Sequence, residues 1–229
     1  MKQPPTLLLT ADGSHSLRSE RFGVTYHSTH GALQESRHIF IDAGLRPLLA
    51  TSPTDLRVLE MGLGTGLNAL LTRLLASGHP ATHLSYTAYE RYPIAVEQAR
   101  ELNYCELLGV ERSLLLQLHE APWAEEQALE DSFTLIKYRD DFLHPAADGP
   151  RHLYDLIFYD AFAPESQPEL WTEAAMRSCA QRLRAGGRLV TYCAKGQFKR
   201  NLRAAGFAVE ALPGPVGKRE ITRATLLLG

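Results

Sequence analysis

The 229-residue chain is 45% hydrophobic and 22% charged, an ordinary globular balance, long enough for one full domain with at most a small appendage. Its net charge of −2 hides an asymmetry: residues 1–181 carry 14 Lys+Arg against 24 Asp+Glu, residues 182–229 carry 10 against 2. No apolar run approaches the roughly 18 residues that span a bilayer, and Met1-Lys2-Gln3-Pro4-Pro5 lacks the apolar stretch of a secretory leader.

In chain order, Thr6–Thr10 and Phe22–Tyr26 read as short strands around a turn at Asp12-Gly13, and residues 31–50 read as helical up to Ser52-Pro53. Regular alternation then begins. Leu56–Glu60 is a strand, Leu67–Ser77 a helix stopped by Gly78 and Pro80, Leu84–Tyr89 a strand, and Pro93–Asn103 a helix with proline at its first position. The Leu- and Glu-rich stretch 105–132 is expected to be helical. Phe133–Tyr138 and the apolar run Tyr154–Tyr159 are strands, the second suited to a sheet covered on both faces. A helix over Pro168–Arg184, strand Arg188–Cys193 after Gly186-Gly187, helix Gln197–Ala205 and strands Phe207–Leu212 and Ile221–Leu228 complete the chain. The last two strands are joined by about eight residues, too few for a crossover, so they should be antiparallel. The pattern predicts a doubly wound, mostly parallel, seven-stranded α/β sheet with one antiparallel strand near its edge. It divides into an N-terminal β/α extension over residues 1–50 and a main domain over 51–229.

Cys105, Cys179 and Cys193 are widely spaced and include no CxxC pair, so free thiols are expected, with no disulfide-linked partner, no metal site and a cytoplasmic setting. His27 and His30 have no further ligand nearby in sequence and read as ordinary surface or core histidines.

Four segments carry chemistry. Gly62-Leu63-Gly64-Thr65-Gly66 lies between a strand and a helix, where glycines let backbone turn tightly against a ligand. Leu67 stands where a nicotinamide-binding loop would want its third glycine. With Glu60 leading, the segment is instead the Glu-x-Gly-x-Gly-x-Gly form by which methyltransferases hold S-adenosylmethionine. Glu90 closes the second strand, where a carboxylate accepts from ribose hydroxyls; Asp140 and Asp141 follow the third, where an acid can accept from the adenine amino group. Asp160 ends the fourth strand beside the switch point of the sheet, and an acid there is costly unless it has a ligand or partners. Such a carboxylate can orient an amine and stabilise its developing charge, although an ordinary Asp pKa of about 3.9 makes it a poor formal base. Lys195, Lys199, Arg200, Arg203, Lys218 and Arg219 form two basic clusters that suit a phosphate-bearing partner.

The sequence resembles the tRNA 5-methylaminomethyl-2-thiouridine methyltransferases, comprising stand-alone MnmD proteins and the methyltransferase half of bifunctional MnmC. The matching segments are Tyr26-His27-Ser28 with Gly31, Glu35–Phe40, Gly62–Asn68, Glu90–Pro93, Asp160–Pro164 with Pro168–Trp171, and Gly217–Glu220. The resemblance implies methyl transfer to the aminomethyl group of a tRNA wobble uridine, with Asp160 as the catalytic acid and Tyr26 and Phe162 on the substrate side. Bifunctional relatives carry a flavin oxidase half, for which no room is expected before Gly229. Ala161 stands where those relatives should have glycine, and Tyr192-Cys193-Ala194-Lys195 is closer to the stand-alone branch. The rivals are a spermidine-synthase-like aminopropyltransferase, which should be acidic rather than basic at its end, and a methyltransferase for another amine. A silent RNA-binding module would have no need of an intact Glu60, Glu90 and Asp160.

Overall fold

The computed structural model describes residues 4–143 and 153–227. Met1-Lys2-Gln3 and the expected strand end at Leu228 lie outside the described residues. The chain opens with β1 (Thr6–Leu9), β2 (His15–Ser19) and β3 (Val24–Thr25), then α1 (Ala32–Ser36), a π-helical stretch Arg37–Leu45, and α2 (Arg46–Leu49). The alternating part runs β4 (Asp55–Met61), α3 (Leu67–Ser77), β5 (His83–Tyr89), α4 (Val96–Glu101), α5 (Tyr104–Leu108), α6 (Ser113–Glu120), β6 (Gln127–Glu130), β7 (Phe133–Tyr138) and β8 (Tyr154–Tyr159). After a 3-10 turn at Pro168–Trp171 come α7 (Glu173–Arg182), β9 (Leu183–Thr191), α8 (Gly196–Ala204), β10 (Phe207–Pro213) and β11 (Glu220–Leu226).

The main sheet has the order β10-β11-β9-β8-β4-β5-β7-β6. Neighbours β9, β8, β4, β5 and β7 are parallel, and β11 runs antiparallel between β9 and β10. The doubly wound plan and the reversed strand near the edge are as expected. The strand count is eight, not seven, because Gln127–Glu130 leaves the supposed helix and pairs antiparallel with β7. Buried Arg73 of α3 shows why this segment sits there: its guanidinium donates to Glu130 Oε1 at 2.8 Å, to the Leu114 carbonyl at 2.9 Å and to Gln117 Oε1 at 2.7 Å. A buried guanidinium needs such partners. Pairing with β7 and this charge contact outweigh the helix propensity of the segment.

The N-terminal strands form a separate three-stranded antiparallel sheet, whose central member β2 the sequence reading missed. Residues 32–49 are helical as expected, with a π-helical centre. There Gly44 lies so close to the sheet that a Cβ would come within 2.9 Å of Val190 Cγ2. Ile39, Phe40 and Leu45 join Val58, Tyr86, Phe158 and Val190 in one continuous core, each such side chain contributing about 1.5–3 kcal/mol through burial.

Register fixes the functional edge. Met61 is level with Tyr89 on one side and Tyr159 on the other, and Tyr89 is level with Tyr138. The ladder continues one step past these partners: Gly62 N donates to Tyr89 O, Glu90 N to Tyr138 O, and Asp160 N to Met61 O. Four loops therefore leave the carboxyl edge side by side, where ligands of open α/β sheets bind.

Candidate active site

The glycine loop turns from β4 into α3 with positive φ at all three glycines. At Gly62 (φ +89°) a Cβ would sit 2.9 Å from the Asp160 carbonyl, and at Gly66 (φ +76°) 2.8 Å from His119 Nε2. These positions exclude side chains both by conformation and by close approach. His119 Nε2 hydrogen bonds the Thr65 carbonyl at 3.0 Å, and burial pulls its pKa down to about 4, so the neutral ring supplies the donor. Buried Lys137 donates to the His119 carbonyl at 2.7 Å, and burial pulls its amine down to about 8. From the other side the buried His27 ring hydrogen bonds Thr65 Oγ1 at 2.8 Å. His30 is exposed. Among the described residues no cluster of His, Cys, Asp and Glu could hold a metal ion, and the three cysteines are free and buried.

Beside the loop, Glu90 accepts from Gly64 N at 2.9 Å and Tyr92 N at 2.6 Å. Burial raises its pKa, and those backbone donors oppose the rise. Each oxygen keeps acceptor capacity for a ligand hydroxyl. Asp141 accepts from Arg91 Nη1 and from Leu143 N, both at 2.9 Å, while Asp140 Oδ1 accepts from Asp141 N at 2.7 Å. Gly62, Gly64, Glu90, Asp140, Asp141 and Asp160 line one cleft of about 360 Å³, within the range for a small-molecule site, whereas Gly66 and Glu60 lie outside its lining. Its rim is aromatic. Phe162 meets Tyr26 edge-on at 5.1 Å and Phe22 at 4.8 Å, and Arg21 lies 3.8 Å over the Tyr92 ring.

Under the cleft lies a cluster of acids. Glu60 is fully buried on β4 with Oε2 unpartnered, and burial first, then the Asp160 charge, raise its pKa well above the ordinary value. Asn68 Nδ2 donates to Glu60 Oε1 at 3.0 Å and to Asp160 Oδ2 at 2.9 Å. Burial, helped by the Glu35 charge, pushes Asp160 up to about 8, against the pull of Asn68 and Lys218. Burial thus brings the Asp160 carboxyl closer to an amine in basicity than an ordinary aspartate. The loop that carries it is braced on both sides: Tyr192 Oη donates to the Ala161 carbonyl at 2.7 Å, and Trp171 Nε1 to the Phe162 carbonyl at 2.8 Å.

The basic residues divide. Lys218 Nζ pairs with buried Glu35 Oε1 at 2.9 Å and lies 5.1 Å over the Tyr192 ring, at the back of the acid cluster rather than in solvent. Lys199 pairs with Glu220 at 2.6 Å, and Lys195 with Glu165. Arg200, Arg203 and Arg219 are exposed. Because β9 and β10 run parallel, the start of α8 and the β10–β11 loop both lie at the carboxyl edge.

The site missed by the sequence reading comprises Asn68, Glu35, Tyr192, His119 and Phe22. Asn68 and Glu35 lay inside recognised segments, but only the folded packing brings them to Asp160.

A family model described as S-adenosyl-L-methionine-dependent methyltransferase matches residues 140–227. Over 92% of its length the chain is 34% identical to the tRNA 5-methylaminomethyl-2-thiouridine biosynthesis bifunctional protein MnmC of Pseudomonas savastanoi pv. phaseolicola. A crystal structure of MNMC2 from Aquifex aeolicus covers 98% of the chain with a TM-score of 0.79 at 25% identity, the match taking in 71% of that chain. The chain is thus similar over nearly its whole length to MnmC proteins and matches an S-adenosyl-L-methionine-dependent methyltransferase family model over residues 140–227. It spans about a third of the length of the curated MnmC relatives it matches. Spermidine synthase from Thermotoga maritima shares the fold alone, with a TM-score of 0.55 at 14% identity over 96% of this chain and 71% of that one.

S-adenosylmethionine fits the residues of this methyltransferase. The glycine cradle leaves no room for a Cβ, Glu90 offers two carboxylate oxygens beside it, and the unpartnered Glu60 Oε2 lies beneath it.

Proposed function

We propose that the enzyme transfers a methyl group to the aminomethyl nitrogen of 5-aminomethyl(-2-thio)uridine at the tRNA wobble position. The observation that carries this reading is Asp160, an acid-surrounded carboxyl at the cleft whose pKa of about 8 suits a cationic amine. The names of the relatives supply the nucleoside, since MnmC is named for 5-methylaminomethyl-2-thiouridine biosynthesis in tRNA.

The cofactor supplies an electrophilic methyl group. We assign its binding to Glu60, Gly62, Gly64, Gly66, Glu90, Asp140 and Asp141, with Glu90 accepting from the ribose hydroxyls and the Asp140-Asp141 pair beside the adenine. Tyr26 and Phe162 pack against the uridine. The Asp160 carboxylate accepts a hydrogen bond from the substrate ammonium and takes the proton that must leave before the nitrogen lone pair is free. Once it has passed that proton to water, the carboxylate is charged again and faces the positive charge that reappears on nitrogen as the methyl–sulfur bond breaks and the carbon–nitrogen bond forms.

Among the basic residues assigned to tRNA, Arg200, Arg203 and Arg219 carry the exposed charge for phosphates. Lys195 and Lys199 can join them only by exchanging Glu165 and Glu220 for phosphate, and Lys218 acts from inside the cluster. Residues 1–50 are read as an extension that closes the cleft of a 51–229 catalytic domain, because they hydrogen bond in their own sheet while supplying Tyr26 to the rim. No helix among the described residues is long and apolar enough to cross a membrane. A tRNA substrate accords with work in the cytoplasm.

The test is transfer of labelled methyl from S-adenosylmethionine to tRNA that carries the aminomethyl group. Label should enter that tRNA and not an unmodified transcript. Equal labelling of both, or label in neither, would remove the reading.

A further inference from the structure

Asn68, 2% exposed in the first turn of α3, stands between carboxyls from two strands. Its Nδ2 donates to Asp160 Oδ2 at 2.9 Å and to Glu60 Oε1 at 3.0 Å, so both amide protons are committed. Turned over, the amide would aim its oxygen at two carboxyl oxygens, an arrangement that ionised groups would reject. Two diverging protons on one rigid, neutral group match two acceptors; a hydroxyl has one proton, and a third carboxylate would add repulsion.

We propose that Asn68 is a positioning residue for methyl transfer: it ties down one oxygen of Asp160, leaves the other for the amine, and favours the ionised form that receives the proton. The proposal rests on the reaction proposed above. The groups around Asp160 explain why such a donor is needed. Glu35 from α1 raises its pKa; Glu60 on β4 feels the charges of Asp160 and of Glu90, which follows β5, and the Tyr86 hydroxyl on β5 faces both Glu60 and Asp160. Tyr192 follows β9, and its hydroxyl is committed to the Ala161 carbonyl. Lys218, from the β10–β11 loop, is the cation near Asp160 and is shared with Glu35. Among the described residues, Asn68 is the group that gives the Asp160 carboxylate a side-chain hydrogen bond.

Removing the donor disfavours ionised Asp160, so its pKa rises further and the acidic limb of the rate profile moves up. We expect Asn68→Ala, at saturating cofactor and tRNA, to lower kcat at pH 7 by about ten- to a hundredfold, as loss of a hydrogen bond to a charged group converts. Part of the rate should return toward pH 9, with the limb displaced upward by about one pH unit. Asn68→Ser, which keeps one donor proton, should lie between wild type and Asn68→Ala. Asp160→Asn, with no carboxyl to titrate, should show no such limb. In the cofactor-free protein, carbon-detected NMR should place the Asp160 carboxyl titration higher in the Asn68→Ser variant than in wild type. A kcat lowered equally at every pH, or an Asp160 titration unmoved in both variants, would overturn the proposal. If Asn68→Ala fails to fold, Asn68→Ser and the NMR titration decide by the same criterion. Wild-type protein that methylates no aminomethyl tRNA would instead refute the proposed function, and the NMR comparison would still judge Asn68.

Discussion

The acid cluster beneath the cleft and the basic final segment are opposites in how they are built. In the acid cluster Glu60 and Asp160 are held by Asn68 and pushed by burial toward their neutral forms, and buried Glu35 pairs with Lys218. In the last 48 residues Lys195, Arg200, Arg203 and Arg219 are exposed and the other cations half-buried, and Lys195, Lys199 and Lys218 are each drawn into an ion pair within the chain. Surplus charge in a sequence therefore says little about which cations are available. A count of six candidates becomes three exposed arginines and one lysine that serves the acids. On the proposed reading, chemistry is concentrated where burial is costly, and contact with a polyanion is left to exposed arginines outside the ion pairs.

The largest effect expected from breaking this contrast is on Asp160. Asp160→Asn should cut kcat by about a hundred- to a thousandfold, the range for losing a group aimed at developing charge, with cofactor affinity little changed. Steady-state kinetics together with calorimetric titration of the cofactor separates the two quantities; turnover within about twofold of wild type would make Asp160 structural.

Glu90→Ala comes next. It should weaken cofactor binding by about 1.5–3 kcal/mol through loss of a charged acceptor and of the brace on Gly64 N, leaving the fold intact. Unchanged calorimetric affinity would remove Glu90 from the site.

The basic segment should give a smaller effect of a different kind. Replacing Arg200, Arg203 and Arg219 together with alanine should raise the KM for tRNA about tenfold and flatten the log–log salt dependence by about two to three. Lys218→Ala should leave that slope unchanged and alter the pH dependence of kcat instead, because its partner is Glu35. If Lys218→Ala flattens the slope as much as the arginines do, the division between the two regions fails.

The last effect is on stability rather than on rate or affinity. The carboxyl of Asp160 is raised from 3.8 to about 8 in the folded chain, so ionising it costs the folded state more than the unfolded one. Wild type should match Asp160→Asn near pH 4, fall progressively behind it as the pH rises, and level off above about 8. The gap in Tm should be on the order of 10 °C or more at pH 9, measured without cofactor.

The sequence carried the glycine loop, Glu90 and Asp160 because each stands at the end of a strand in a regular α/β pattern, where position implies role. It carried the reversed β11 because eight residues cannot make a crossover. It lost β6 because four residues rich in Leu and Glu follow helix propensity until β7 and Arg73 overrule it. Asn68 was invisible as a clamp because its two acceptors lie 8 and 92 positions away in sequence. Glu35 stood inside a recognised segment with no role attached, and only the docking of the β10–β11 loop turns it into a partner for Lys218. Local pattern reveals strand ends; it does not reveal which side chains meet behind them.

The central claim, methyl transfer to an amine presented to Asp160, is tested most directly by mass spectrometry of tRNA nucleosides. tRNA bearing 5-aminomethyl-2-thiouridine would be incubated with S-adenosylmethionine and either wild type or Asp160→Asn. The account predicts that wild type converts this nucleoside to a product one methyl group heavier, with the methyl on the side-chain nitrogen, and that the variant leaves it almost unconverted in the same interval. A methyl group found on any other nucleoside, or equal conversion by both proteins, would contradict it.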